Sequence, residues 1–73
     1  MRKTIVKKIF GKSVKSRRFE LGLTQEELAN QSGLQRSYVS DVERGVRNPS
    51  LDSIERLAGA LQVSIPILFQ SPE

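Results

Sequence analysis

Residues 24–44, TQEELANQSGLQRSYVSDVER, decide the fold, because they read as two short helices joined by a tight turn. Thr24 is a good N-cap type, Glu27 stands three residues on to close a capping box, and Leu23 with Leu28 supplies the hydrophobic staple around that cap. A helix therefore starts here and continues from Gln25 to Ser32, with Leu28 and Ala29 as its only apolar pair. Gly33 provides the left-handed conformation that ends a helix at little cost. Leu34 and Val39 repeat the staple relation, so a second helix opens around Gln35 and runs to about Arg44, where Gly45 stops it. Helical periodicity puts Val39 and Val42 on one side of it and Arg36, Ser37, Ser40 and Arg44 on the other. An apolar back and a donor-rich, lightly charged front, behind a capped helix and a glycine turn, make a helix-turn-helix pattern.

Composition bounds what surrounds this unit. A chain of 73 residues allows one domain, 1–73, and buries only about 60% of its unfolded surface, so it stands to gain from dimerisation. No room is expected for a separate ligand-sensing domain, and no small-molecule ligand or cofactor is implied. With no Cys and no His, disulfides, thiolate nucleophiles, imidazole bases and the usual zinc sets are excluded. Asp41 and Glu43 lie close together on one helix without a base, nucleophile or metal partner, which gives no catalytic site. The longest apolar run, Ile65 to Phe69, is too short for a bilayer or a signal-peptide core, so no membrane partner and a cytoplasmic location are expected. Charge is uneven: residues 1–18 hold eight of the 12 Lys/Arg and no acid, leaving four bases against all 8 acids in the remainder, so the +4 total divides into +8 and −4. Such a basic lead favours polyanion partners, although it also serves solubility.

Outside the motif the reading is of supporting helices. MRKT is a basic lead, residues 1–4, and residues 70–73 form a tail. From about Ile5 to Leu21 there is no Pro, and Val6, Phe10, Val14 and Leu21 repeat at helical spacing as one apolar stripe, the first helix. Lys7, Lys8, Lys12 and Lys15 read as a solvated face, with diffuse attraction to phosphates as the functional alternative. Arg17 falls inside the stripe, where its stem can cover apolar surface while the guanidinium reaches water. Phe19 falls outside it, as an exposed contact or a local repacking. After Gly45, Pro49 introduces a fourth helix capped by Ser50, with Asp52 in its first turn and Leu51, Ile54, Leu57, Ala58 and Leu61 facing inward. Ser64 caps a last short helix that tolerates Pro66 in its first turn and ends near Phe69.

The stretch GLTQEELANQSGLQRSYVSDVERGVRNPSL resembles the lambda-repressor and Cro-type, XRE-like helix-turn-helix family, and SGLQRSYVSDVERGVRNPS is most similar to the controller proteins of restriction–modification systems. The resemblance covers roughly residues 10–69. It implies an all-α, five-helix bundle of the lambda-repressor-like DNA-binding type, with the helix-turn-helix at helices 2 and 3. It implies a non-enzymatic transcriptional regulator, a homodimer on a palindromic operator in double-stranded DNA, and RNA polymerase as a further partner the family admits. Similarity to controllers implies autoregulation together with control of an endonuclease gene. The alternatives are a phage Cro-like repressor, which would share every residue-level argument, and an antitoxin, for which only SPE after Gln70 is left as a toxin-binding tail.

In such a domain the second helix enters the major groove by its N-terminal residues. Arg36 is then the strongest base reader, since a guanidinium can donate twice to guanine, and Gln35 is next, with Ser37 and Ser40 beside them. Thr24 and Gln25 at a helix N-terminus, with Tyr38, Arg44, Arg47 and Asn48 flanking the readout face, are the expected phosphate contacts. The resemblance pairs Arg18 with Glu43 as a structural ion pair tying helix 1 to the recognition helix. Arg17 replaces the family's usual aliphatic residue, and Gln62 its usual Gly or Asn. Leu68 and Phe69 match its closing core pair, and Ile65, Ile67, Leu68 and Phe69 are the expected dimer interface.

Overall fold

The computed structural model describes residues 2–70, with side chains from Ile5 onward. Four α-helices follow one another: α1 (Arg2–Glu20), α2 (Gln25–Ser32), α3 (Arg36–Glu43) and α4 (Leu51–Leu61). A closing 3-10 helix (Ile65–Phe69) ends the described chain. The expected fifth α-helix is thus replaced by a tighter turn, and Ser64, though at its N-cap position, makes no side-chain capping bond. Pro66 in its first turn removes a donor, and a segment of five residues is too short for α-helical bonding to outweigh its nucleation cost. None of the described helices is long and apolar enough to cross a membrane.

One core joins all five elements. Phe10 and Val14 of α1, Leu28 and Ala29 of α2, Val39 and Val42 of α3, Ile54, Leu57, Ala58 and Leu61 of α4, and Leu68 of the closing turn are buried together. Each of the larger side chains contributes roughly 1.5–3 kcal/mol by leaving water. The apolar stripe of α1 is sealed only from Phe10 onward; Val6, expected within it, is 47% exposed because its turn precedes the stretch that meets the other helices. Leu51, expected to face inward, is 85% exposed at the first turn of α4, where it lines a shallow apolar groove with Ile65 and Phe69. The basic lead is shorter than expected, since α1 begins at Arg2; Met1 and residues 71–73 lie outside the described residues. Gln70, expected in the tail, is anchored by its backbone carbonyl, which accepts a bond from the Ser13 hydroxyl at 2.7 Å.

Two positions fix how α1 lies on its neighbours. A Cβ on Gly11 would stand 2.9 Å from the carbonyl oxygen of Glu43, so α1 and α3 meet there backbone to backbone. Arg17 explains its place in the stripe: its Nε donates to the Leu61 carbonyl at 3.0 Å, satisfying a C-terminal carbonyl of α4. Gln62 ends α4 in the left-handed region, φ 60°, without the freedom of glycine. The sequence departure at this position therefore leaves the turn's geometry intact and stores a modest strain in it.

Candidate nucleic-acid interface

The two motif helices are set by local chemistry. The Thr24 hydroxyl accepts from the Glu27 N–H at 3.0 Å, and the Glu27 carboxylate accepts from the Thr24 N–H at 2.8 Å, closing the capping box. Those bonds occupy two of the donors at the start of α2, while the N–H groups of Gln25 and Glu26, in the first turn, have no acceptor within the helix. Gly33 then turns the chain at φ 72°. Across that turn, Arg56 of α4 donates to the Ser32 carbonyl at 3.5 Å and to Asp52 at 2.8 Å. Arg56, which carries no signal in the sequence pattern, holds the back of the motif, and Asp52 raises its pKa by hydrogen bonding and by charge.

Gln35 is the N-cap of α3 but makes no side-chain capping bond, so its amide is not spent on the helix. Val39 and Val42 are buried against the other helices, while Gln35, Arg36 and Ser37 are exposed and Ser40 is half-buried. Among the described residues Arg36 forms no ion pair. At about 100° per residue, Ser37 and Arg44 point directly away from the buried pair, with Ser40 and Asp41 each about 50° to either side. Asp41 therefore shares the outer face; weighing it only as a catalytic acid hides this, although its helical phase is available in the sequence. It pairs with Arg44 at 2.6 Å.

Behind that face, Glu43 is held by three donors. Arg18 Nε and Nη2 reach its two carboxylate oxygens at 2.7 and 3.0 Å, and the Gln25 amide donates to one of them at 3.0 Å. Arg18 also donates to the Leu23 carbonyl at 2.8 Å, which binds α1, the loop before α2, and α3 into one unit. The hydrogen bond from Arg18 to Glu43 raises the guanidinium pKa above the ordinary arginine value, against the opposing effect of burial. Tyr38 also has structural partners: its hydroxyl accepts from the Ser50 N–H at 3.4 Å and its ring lies under the Arg47 guanidinium at 4.3 Å. Arg47 and Asn48 are exposed on the loop beyond α3. Thr24, Gln25 and Arg36 line a common depression together with Phe19, whose ring is 63% exposed. The expected interface residues separate: Ile65, Ile67 and Phe69 are 41, 45 and 40% exposed, but Leu68 is fully buried and is a core residue, unavailable to a partner.

With its apolar back sealed and its polar front left open, the α2–α3 pair has the form of a helix-turn-helix DNA-binding unit. A family profile described as helix-turn-helix matches residues 14–68, and the chain belongs to that XRE-like family of DNA-binding transcriptional regulators rather than to an enzyme family. It is 44% identical over 59 residues to the control protein C.BamHI of Bacillus amyloliquefaciens, an alignment covering 80% of this chain and 73% of that one. It is 46% identical over 55 residues to the immunity repressor protein of Bacillus phage phi105, covering 75% of this chain and 38% of the repressor. Among solved structures, the restriction-modification controller protein C.AhdI from Aeromonas hydrophila superposes with a TM-score of 0.84 at 49% identity, covering 86% of this chain and 96% of that one.

Proposed function

We propose that the protein is a homodimeric regulator that reads a palindromic operator with α3, and that it serves as a restriction–modification controller acting on its own gene and on an endonuclease gene. The observation that carries the reading is Arg36: exposed and unpaired among the described residues, it stands at the first position of a helix whose rear is locked by Arg18 and Glu43. In the major groove its guanidinium would donate to O6 and N7 of a guanine. Gln35, Ser37 and Ser40 would read neighbouring bases, and Asp41 could accept from a cytosine amino group while Arg44 offsets its charge. Gln25 and Thr24 at the start of α2, with Tyr38, Arg44, Arg47 and Asn48, would hold phosphates.

Dimerisation is supported by the mainly apolar groove that Leu51, Ile65 and Phe69 line with Asp52 and Glu55, and by Ile67, which is exposed on the other flank of the closing turn beside Arg17 and Glu20. To read two half-sites, the two-fold axis must set the recognition helices about one turn of DNA, roughly 34 Å, apart. The controller assignment rests on the similarity to C.BamHI and C.AhdI, and the phage immunity repressor supports a second reading as a phage-type repressor. Activation, as opposed to repression, would also require RNA polymerase at the same promoter. Footprinting of the DNA upstream of the protein's own gene, together with the identity of the adjacent genes, tests this. A two-fold footprint beside methyltransferase and endonuclease genes is the expected result; phage genes there would favour the repressor, and no protected site would refute both.

A further inference from the structure

The outer edge of α1 meets the interface described above only at Phe19, and its lysines lie outside it. Lys8, Lys12, Lys15 and Phe19 stand at helical spacing, so they fall within about 60° of one line along the helix. All four are exposed. None of the three lysines forms an ion pair among the described residues. Glu43, which lines a depression with Lys8, Lys12 and Arg44, is already bonded by Arg18 and Gln25.

The two ends of this ridge abut the readout unit. At one end the backbone of Lys8 rests on the turn after α3: a Cβ on Gly45 would stand 2.9 Å from the Lys8 Cγ and 3.2 Å from its Cα. At the other, Phe19 shares its depression with Arg36, and its ring carries Arg18 at 4.7 Å and the Lys15 ammonium at 5.9 Å. From Lys8 to Lys15 the axis rises roughly 10 Å. Neighbouring phosphates of one strand stand farther apart than their axial rise of about 3.4 Å, because the strand winds, so a row of this length spans about two or three of them.

We propose that this ridge is a second backbone clamp, which holds phosphates of one DNA strand along the edge of each half-site, with the Phe19 ring against a deoxyribose. The proposal rests on α3 occupying the major groove. It assigns the lysines to specific phosphates, where a merely solvated face would leave them outside the footprint.

The test compares the wild-type chain with Lys8→Gln/Lys12→Gln/Lys15→Gln, using phosphate-ethylation interference and the salt dependence of binding to the operator and to an unrelated duplex. Because the lysines are exposed, the triple variant should keep its melting temperature; Lys12→Gln alone is the milder check. The slope of log K against log salt should fall by about 0.9 for each phosphate no longer neutralised, so by roughly 2–3 in the triple variant and by about 0.9 in the single one. A cluster of sensitive phosphates at each half-site edge should disappear, with the operator-to-nonspecific ratio unchanged. Retained operator preference with unaltered slope and ethylation pattern overturns the ridge alone. A wild-type chain that prefers no duplex overturns the ridge and the major-groove reading together.

Discussion

Arg18 and Glu43, 25 residues apart in sequence, form a two-point ion pair with side chains only 8% and 3% exposed, and among the described residues it is the one charged link between α1 and the recognition helix. Removing the arginine leaves a buried carboxylate with Gln25 as its remaining side-chain donor. Arg18→Met should therefore destabilise by about 3–5 kcal/mol, as loss of one partner of a buried pair does. Urea denaturation of Arg18→Met against Arg18→Met/Glu43→Leu checks the cause: the double variant should recover much of the loss. If it were no more stable than the single variant, the stranded charge would not be the cause. Since Glu43 raises the arginine pKa, raising the pH leaves the guanidinium's side of this contribution in place through the ordinary arginine range and removes it only in strong alkali.

Gly11 sets two effects against each other. In an open helix Gly→Ala stabilises by up to about 1 kcal/mol. Here the added methyl would run first into the Val42 carbonyl and then into the Glu43 carbonyl 2.9 Å away, and backbone cannot yield as a side chain can. Gly11→Ala should consequently destabilise by about 1–3 kcal/mol. A rise in melting temperature would show that α1 and α3 are not so closely apposed.

The capping box isolates a local term. Thr24→Ala removes the acceptor for the Glu27 N–H. A loss of about 1 kcal/mol is expected. Glu27→Ala removes the reciprocal bond, and because the two bonds define one local structure, the double variant should lose less than the sum of the singles. Strict additivity in thermal melts would mean that the two bonds act independently.

What can be read in advance divides by range. Thr24, Glu27, Gly33 and Ser50 act on neighbours three or four residues away, so the boundaries of α2, α3 and α4 are legible to within a residue or two. The stripe of α4 is legible from Ile54 onward, but periodicity gives a direction and not what lies there: Leu51 shares the stripe's phase and still stays open to solvent. Leu68 shows the converse, since an aliphatic on a terminal turn is equally suited to core and interface until the fold assigns it. The partnership of Arg18 and Glu43 comes through resemblance, because no local pattern joins α1 to α3. Gly11 and Arg17 cannot be understood without α3 and α4 in place, since each answers to a backbone carbonyl on another helix. For the candidate interface, helical phase locates Arg36, Ser37 and Ser40 and suffices to locate Asp41; the engagement of Gln25 with Glu43 and of Tyr38 with Ser50 depends on loop paths.

Arg36 offers the sharpest test of base reading. It is exposed and makes no ion pair among the described residues, so Arg36→Ala should leave the melting temperature nearly unchanged. A bidentate contact to guanine carries about 1–3 kcal/mol of discrimination. Competition binding against single-base operator variants should show that preference abolished at one position per half-site, while weak nonspecific binding persists. An equal loss on every sequence would mark Arg36 as a phosphate contact.

The dimer surface can be tested without confusing association with folding. Leu51 is 85% exposed in the protomer, so its side chain contributes little to the protomer's own core and Leu51→Asp should fold as well as the wild type. Ile67, at 45% exposure, is partly engaged with its own chain, and Ile67→Asp should cost some stability as well as association. Both variants should sediment nearer the monomer and bind a two-half-site operator more weakly, while retaining affinity for a single half-site. If Leu51→Asp alone shifts the equilibrium, the two-fold axis passes the groove between α4 and Phe69; if Ile67→Asp alone does, it passes the opposite flank of the closing turn. A wild-type dimer unaffected by either charge would place the partner on another face altogether.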